Sequence, residues 1–240
     1  MIFDNRLNFM QSLLAKQCLL CGAASGSGSD ICAPCYTNLP HLPPHHCLVC
    51  ALPLPTAGVC GACLAHPPAF DRSIAAASYA FPIDALLQSL KYQANLALAT
   101  LLADLLSDRI DATELPDFIL PMPLHPSKLR ERGFNQASEI ARRVSKKTGV
   151  ALLPLACQRI KDTPSQTGLP WKEREKNIRG AFACAADLMH KRVAILDDVM
   201  TTGATMNELA KVLRKCGASG VSAWVVARTF PDRLLAHFET

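Results

Sequence analysis

The apolar and polar positions of the 240-residue chain fall into two regimes that meet near residue 66. Beyond that point, apolar runs alternate with stretches in which Leu, Ala and Ile recur every three or four positions. The runs predict strands at 73–81, 118–124, 150–156, 192–199 and 221–227, and the periodic stretches predict helices at 83–92, 96–110, 135–149 and 205–216. Gly149 closes the amphipathic stretch "NQASEIARRVSKKTG" as a helix stop. Strands alternating with helices predict an α/β domain whose central parallel sheet is flanked by helices on both faces. The polar segment 159–179 has no period and predicts a long loop, of the kind that serves as a lid over a site or stays disordered.

Before residue 66 there is no long periodic segment. Pro, Gly and Ser are frequent, and eight of the 11 cysteines lie here. "HPPAFD" follows, and its consecutive prolines resist both helix and central strand, so it reads as a linker. The expected organisation is a cysteine-rich region at 1–66, a linker at 67–72 and an α/β domain at 73–240. Half of the residues are hydrophobic, enough for a sizeable core. The longest apolar runs fall short of a membrane span, and the start carries Asp4, Arg6 and Lys16 with no small-residue cleavage site. A soluble, cytoplasmic protein is expected.

In a reducing compartment, cysteines are used for metal more than for disulfides. Four Cys-x-x-Cys pairs occur in series: Cys18 and Cys21, Cys32 and Cys35, Cys47 and Cys50, Cys60 and Cys63, with 10, 11 and 9 residues between successive pairs. Each such knuckle sets two sulfurs on one turn, and a second knuckle completes a tetrahedral zinc shell. Two zinc ions are expected, held either by neighbouring pairs, the simpler arrangement, or by interleaved ones. With all four positions filled by thiolate, the sites are structural. His41, His45 and His46 are not needed as ligands, and Cys157, Cys184 and Cys216 sit in apolar or helical contexts that suit packed thiols.

The formal net charge of +5 is unevenly spread. Residues 125–180 hold 13 Lys and Arg against 5 Asp and Glu, whereas residues 81–124 hold 2 against 6. A local positive field suits an anionic ligand, either a multiply phosphorylated small molecule or a nucleic-acid backbone.

Chemistry concentrates at 193–210, "VAILDDVMTTGATMNELA". An apolar strand ends in Asp197 and Asp198, and the turn Thr201, Thr202, Gly203, Ala204, Thr205 leads into a helix. Ligands of an open parallel sheet bind outside the carboxyl ends of its strands. The turn offers backbone N–H groups, hydroxyls and a helix N-terminus, a cradle for phosphate. It lacks the Gly-Lys-Ser/Thr element of nucleoside-triphosphate loops and the spaced glycines of dinucleotide sites, which points to a single phosphate. The two acids, repelled by phosphate, should face either the vicinal hydroxyls of a sugar or a magnesium ion through water. A ribose 5-phosphate meets both demands. A second loop, "PMPLHPSKLRERGFNQ" at 121–136, leaves another strand end carrying Lys128, Arg130 and Arg132, with Asn135 placed to cap the next helix.

The segment 193–205 resembles the phosphoribosyl pyrophosphate (PRPP) motif of type I phosphoribosyltransferases. Together with Arg132-Gly133-Phe134-Asn135-Gln136, with Gln166, Leu169, Arg174, Asn177 and Gly180 in "TPSQTGLPWKEREKNIRGAF", with Leu90-Lys91-Tyr92 and with the cysteine-rich start, it makes the whole chain similar to the ComF family, GntX-type members included. The resemblance implies a double zinc ribbon followed by a type I phosphoribosyltransferase domain. It implies that Asp197 and Asp198 hold the ribose hydroxyls, that residues 201–205 hold the 5-phosphate, that Lys128 and Arg132 assist the leaving diphosphate, and that Gln166, Arg174 and Asn177 belong to a lid. The implied ligand is PRPP with Mg2+, beside two structural Zn2+. Two functions are compatible with it: a phosphoribosyltransferase whose acceptor the sequence does not reveal, or a non-catalytic single-stranded-DNA-binding protein with PRPP as ligand or regulator. In either case the family's link to natural transformation and to use of external DNA implies DNA-uptake proteins as partners. Phe134 and Trp171 could stack on the bases of a single strand.

Overall fold

The structure is a computed structural model and describes residues 16–25, 30–162 and 177–231. The chain forms two compact units, Met1–Pro40 and His41–Thr240.

The two units carry one zinc-ribbon half each, and the halves repeat each other in backbone detail. In the first, the Cys18 N–H donates to the Ala23 carbonyl at 2.7 Å and the Gly22 N–H to the Cys18 carbonyl at 2.9 Å. In the second, Cys47 donates to Leu52 at 2.7 Å and Ala51 to Cys47 at 2.8 Å. The second pair of each half opens a one-turn helix: Cys32 immediately precedes α1 (Ala33–Thr37) and Cys60 immediately precedes α2 (Gly61–Ala65). The residue after the first knuckle is left-handed in both, Gly22 at φ 74° and Ala51 at φ 57°. Glycine takes this conformation at no steric cost, while alanine is strained in it. Ala51 is fully buried in the core of the larger unit, so its methyl has a packing reason to be there.

The larger unit is built on five parallel strands: β1 (Arg72–Ser78), β2 (Phe118–Pro121), β3 (Ala151–Leu152), β6 (Arg192–Met200) and β7 (Gly220–Arg228). Their order is β1-β7-β6-β2-β3. A small antiparallel pair, β4 (Cys157–Arg159) with β5 (Phe182–Cys184), stands apart from the sheet. The helices are α3 (Ile83–Gln93), α4 (Ala97–Ser107), α5 (Pro126–Arg132), α6 (Gln136–Thr148) and α7 (Ala204–Lys215).

Residues of both parities along the central strands are buried: Val193, Ala194, Ile195 and Leu196 on β6, and Val221, Ala223, Trp224, Val225 and Val226 on β7. A strand apolar on both faces needs cover on both. One face packs against α7, through Met206, Leu209, Ala210 and Leu213, and against the small hairpin. The helices α4 and α6 pack against each other and on the sheet, with seven residues of α4 buried, because that helix is sandwiched.

The strand order positions the site. From β2 the chain runs outward through α5 and α6 to β3, whereas from β6 it runs the opposite way through α7 to β7. Adjacent strands whose following loops diverge leave a crevice at their carboxyl ends, the place where ligands of open α/β sheets bind.

Candidate functional site

That crevice is a cleft of about 310 Å³, and its lining draws on three loops and a helix end. From β6 come Asp197 and Asp198, and from the start of α7 comes Thr205. Lys128, Glu131 and Arg132 come from α5, Lys91 and Tyr92 from the end of α3, and Arg159 and Asp162 from the end of β4 and just beyond it.

The carboxylates are neighbours on a strand, so the alternation of side chains sends them to different surroundings. Asp198 is 4% exposed and forms an ion pair with the Lys91 ammonium. Burial opposes charge on Asp198, but Lys91, Asp197 and Gln136 outweigh it, and its carboxyl is held below the usual carboxylate range. Lys91, pulled down by burial and up by Asp198, ends above its ordinary value. Burial and the adjacent Asp198 charge push Asp197 well up. The two carboxyls are thus driven in opposite directions, Asp198 toward its charged form and Asp197 away from it.

After Met200 the strand turns. Gly203 takes φ 79°, which glycine supplies freely, and it opens α7 as the cap residue. The Thr202 hydroxyl accepts from the Ala204 N–H at 3.3 Å, and the Gly203 carbonyl accepts from Asn207 at 2.8 Å. Residues 201–205 thus form a strand-to-helix turn that presents α7's N-terminus, with Thr205 on the cleft.

The opposite wall is cationic. His125 caps α5 and Pro126 opens it, a residue suited to the first helical turn. Lys128 pairs with Glu131 at 2.7 Å, an exposed contact that costs little to exchange for a ligand. Arg132 lies over the Tyr92 ring at 5.5 Å and donates to Gln136 at 3.2 Å. Asn135 caps α6 at 3.0 Å and also donates to the Met122 carbonyl at 3.0 Å, tying the loop back to the end of β2. The Ser127 hydroxyl donates to Asp162 at 2.7 Å, linking the start of α5 to the segment after β4.

The structure thus brings Asp197, Asp198, Lys128, Arg132 and Thr205 to one cleft. Thr201, Thr202, Gly203 and Ala204 make the adjoining turn. Asn177 is half-buried in the stretch leading into β5, outside the cleft lining, while Gln166, Arg174 and Trp171 lie outside the described residues. Phe134 is half-buried. The cleft residues that sequence reasoning left without a role are Lys91, Tyr92 and Gln136, while Arg159, at the end of β4, and Asp162 fall in the segment 159–179 expected to be a loop or lid. A signal existed for Lys91: it falls four residues after buried Leu87 and beside buried Leu90, a charge on the apolar stripe of an amphipathic helix.

The metal centres follow the simpler pairing. Cys18, Cys21, Cys32 and Cys35 form one cluster, and Cys47, Cys50, Cys60 and Cys63 the other, the sulfurs of each lying within 4.8 Å of one another. Zinc–sulfur bonds of about 2.3 Å give tetrahedron edges of roughly 3.8 Å. The Cys21–Cys32 and Cys50–Cys60 sulfurs are 3.6 and 3.7 Å apart, so the residues fit the ion. Hydrogen bonding with Cys32 and Cys21 pushes the Cys35 thiol up to about 12; four thiolates do not coexist there without a cation. No histidine belongs to either cluster. Among the described residues no helix is long and apolar enough to cross a membrane.

Residues 9–64 match the family model of the double zinc ribbon domain. The chain is 32% identical to competence protein F of Haemophilus influenzae over 91% of its own length and all of that protein's. It is 31% identical to DNA utilization protein YhgH of Escherichia coli, covering 88% of this chain and 90% of that one. Among solved structures, a purine phosphoribosyltransferase from Pyrococcus horikoshii aligns over 53% of this chain and 80% of its own, with 20% identity and a TM-score of 0.35. The five-stranded parallel sheet with helices on its faces and the paired cysteine clusters define an α/β protein with an N-terminal double zinc ribbon. Within that class, the chain belongs to the ComF family of competence protein F.

Proposed function

We propose that this protein binds PRPP with Mg2+ at the cleft and acts in the uptake or use of external DNA. The observation that carries the reading is the Asp197–Asp198 pair at the carboxyl end of β6, with a helix N-terminus on one side and Lys128 and Arg132 on the other. In this reading, residues 201–205 receive the 5-phosphate through backbone N–H groups and hydroxyls. Asp197 and Asp198 accept from the ribose 2- and 3-hydroxyls. Lys128 and Arg132 meet the diphosphate, whose departure from C1 leaves a cation-like sugar that an acceptor attacks, so the protein contributes orientation and charge compensation. Magnesium, a hard cation that takes oxygen ligands, enters with the diphosphate and neutralises it. The connection to DNA is supported by the names of the two relatives.

A second reading is favoured by a specific observation: Tyr92 is 73% exposed beside the cationic α5. An aromatic face next to Lys128, Arg130 and Arg132 suits a base and backbone of single-stranded DNA, with PRPP as regulator rather than reactant. Calorimetric titration of the zinc-loaded protein with Mg·PRPP, alone and with a short single-stranded oligonucleotide, decides between them. Micromolar PRPP binding independent of DNA supports an enzyme, and binding that depends on DNA supports a coupled handler. Absence of binding under both conditions, or affinity unchanged in Asp197→Asn with Asp198→Asn, would remove the PRPP assignment.

A further inference from the structure

Arg228, the last residue of β7, is 3% exposed and belongs neither to the cleft nor to a zinc cluster. Its Nη1 sits among the carbonyl oxygens of Met200 at 2.9 Å, Thr229 at 2.7 Å and Thr201, while its Nε donates to the Cys50 carbonyl at 2.7 Å. One guanidinium therefore grips both the entry of the phosphate turn and a zinc-binding knuckle.

The knuckle is held at more than that point. Three consecutive carbonyls of it are taken by the sheet: Leu48 accepts from the Ser73 N–H at 3.1 Å, Val49 from the Ser73 hydroxyl at 2.5 Å, and Cys50 from Arg228. The turn is fastened from the other side as well, since the Thr229 N–H donates to the Met200 carbonyl at 3.1 Å. Burying a guanidinium is costly unless its donors are satisfied, and the carbonyl oxygens of Cys50, Met200, Thr201 and Thr229 take them here.

We infer that Arg228 is a positioning residue through which the second zinc centre holds the phosphate turn in its binding geometry, so that metal at that centre and phosphate in the turn stabilise one another. A rigid planar donor suits this role, because a guanidinium can reach a carbonyl on each side at once, whereas an ammonium is a compact point charge. Coupling between two binding events is reciprocal, so whatever the zinc does for the phosphate ligand the ligand does for the zinc. That the turn binds phosphate, and that PRPP carries it, rests on the function proposed above; the Arg228 bridge between turn and knuckle does not.

The test has two arms on the zinc-loaded full chain. In the first, hydrogen exchange is followed by mass spectrometry in wild type, Arg228→Gln, Arg228→Lys and Cys50→Ser. Protection at 200–205 should fall roughly 10-fold or more in each variant, the usual size of an effect on the groups that orient a metal's ligands, while 193–196 of the same strand stays protected. A variant that also opens 193–196 reports unfolding, and the milder Arg228→Lys then decides. In the second arm, a chromophoric chelator draws zinc from wild type. Saturating Mg·PRPP should slow the release of one of the two ions, and Arg228→Gln should abolish that slowing. Unchanged protection at 200–205 in both Arg228 variants would overturn the inference, as would equal release of both ions with PRPP bound. Failure of wild type to bind PRPP would instead remove the ligand assignment, and the exchange arm would still judge Arg228.

Discussion

Asp197 and Asp198 look equivalent in sequence and are not equivalent in the protein. Asp198 is the counter-ion of a largely buried lysine, and Asp197 is the acid whose ionisation burial and its neighbour oppose. Replacing Lys91 with Met leaves Asp198 buried without its cation, and the expected cost is about 3 kcal/mol at neutral pH, measured by urea unfolding. Asp198 is depressed, so its contribution is present above the unfolded pKa of 3.8 and is lost as pH falls through the folded value. Lys91 is raised, so its contribution is present below 10.5 and is lost as pH rises through the folded value. Asp197 is also raised, and its contribution is present below 3.8 and is lost as pH climbs through its folded value. Asp198→Asn should therefore destabilise, whereas Asp197→Asn should leave stability near wild type. If a ligand's hydroxyls or magnesium demand two ionised acids, binding of Mg·PRPP releases a proton from Asp197. Calorimetry in buffers of different ionisation enthalpy would read that proton directly, and heats independent of buffer would contradict it.

At the scale of elements, the periodic signals were legible and the interruptions were not. Helix α6 begins at its Asn135 cap and ends at Gly149, φ 76°, as its stripe and stop predict. Strand β6 covers the apolar run that leads to the acids. The run expected at 150–156 yields only Ala151–Leu152, because its partner β2 is short and Pro154, with no N–H to offer a ladder, lies two residues beyond. The run expected at 118–124 ends at Pro121 for the same reason, with Pro123 following. Helix α5 went unread within a polar loop although a capping residue and a first-turn proline announce it. The β4–β5 hairpin joins residues more than twenty positions apart, beyond any local period. Gly203, in the turn after β6, gives a prediction at this scale. A Cβ on Gly203 would meet Met200 and Phe70 at 3.7 and 3.8 Å, ordinary contact distances, so Gly203→Ala should cost only the backbone strain of about 1–2 kcal/mol. A thermal melt checks that figure, and PRPP affinity should fall further than the stability loss explains.

For the whole molecule, the cysteine spacing foretold both metal centres, but not what the second one is fastened to. The carbonyls of its first knuckle serve β1 and β7, and by compactness it falls with the sheet rather than with the first ribbon. No local pattern announces this, because Ser73 and Arg228 are distant in sequence from the knuckle they hold. Cys18→Ser and Cys47→Ser should each lower the zinc content from two ions to one by atomic absorption. Cys47→Ser should in addition lower the melting temperature of the larger unit, since Cys47 is fully buried there and its sulfur accepts the Cys60 N–H at 3.3 Å.

The divergence of the chain after β2 and β6 has a consequence for how such a protein diversifies. The turn and acids that would grip a sugar phosphate lie in one continuous segment running from β6 through α7 to β7. The basic loop that faces them belongs to a different segment, leaving in the opposite direction and anchored to the sheet mainly through Asn135 and the end of β2. Insertions and substitutions in 123–134 can therefore change the cationic wall of the cleft while leaving the acids and the turn after β6 as they are. In this architecture a lineage can remodel one wall of its cleft while inheriting the other, the β6–α7–β7 segment, unchanged.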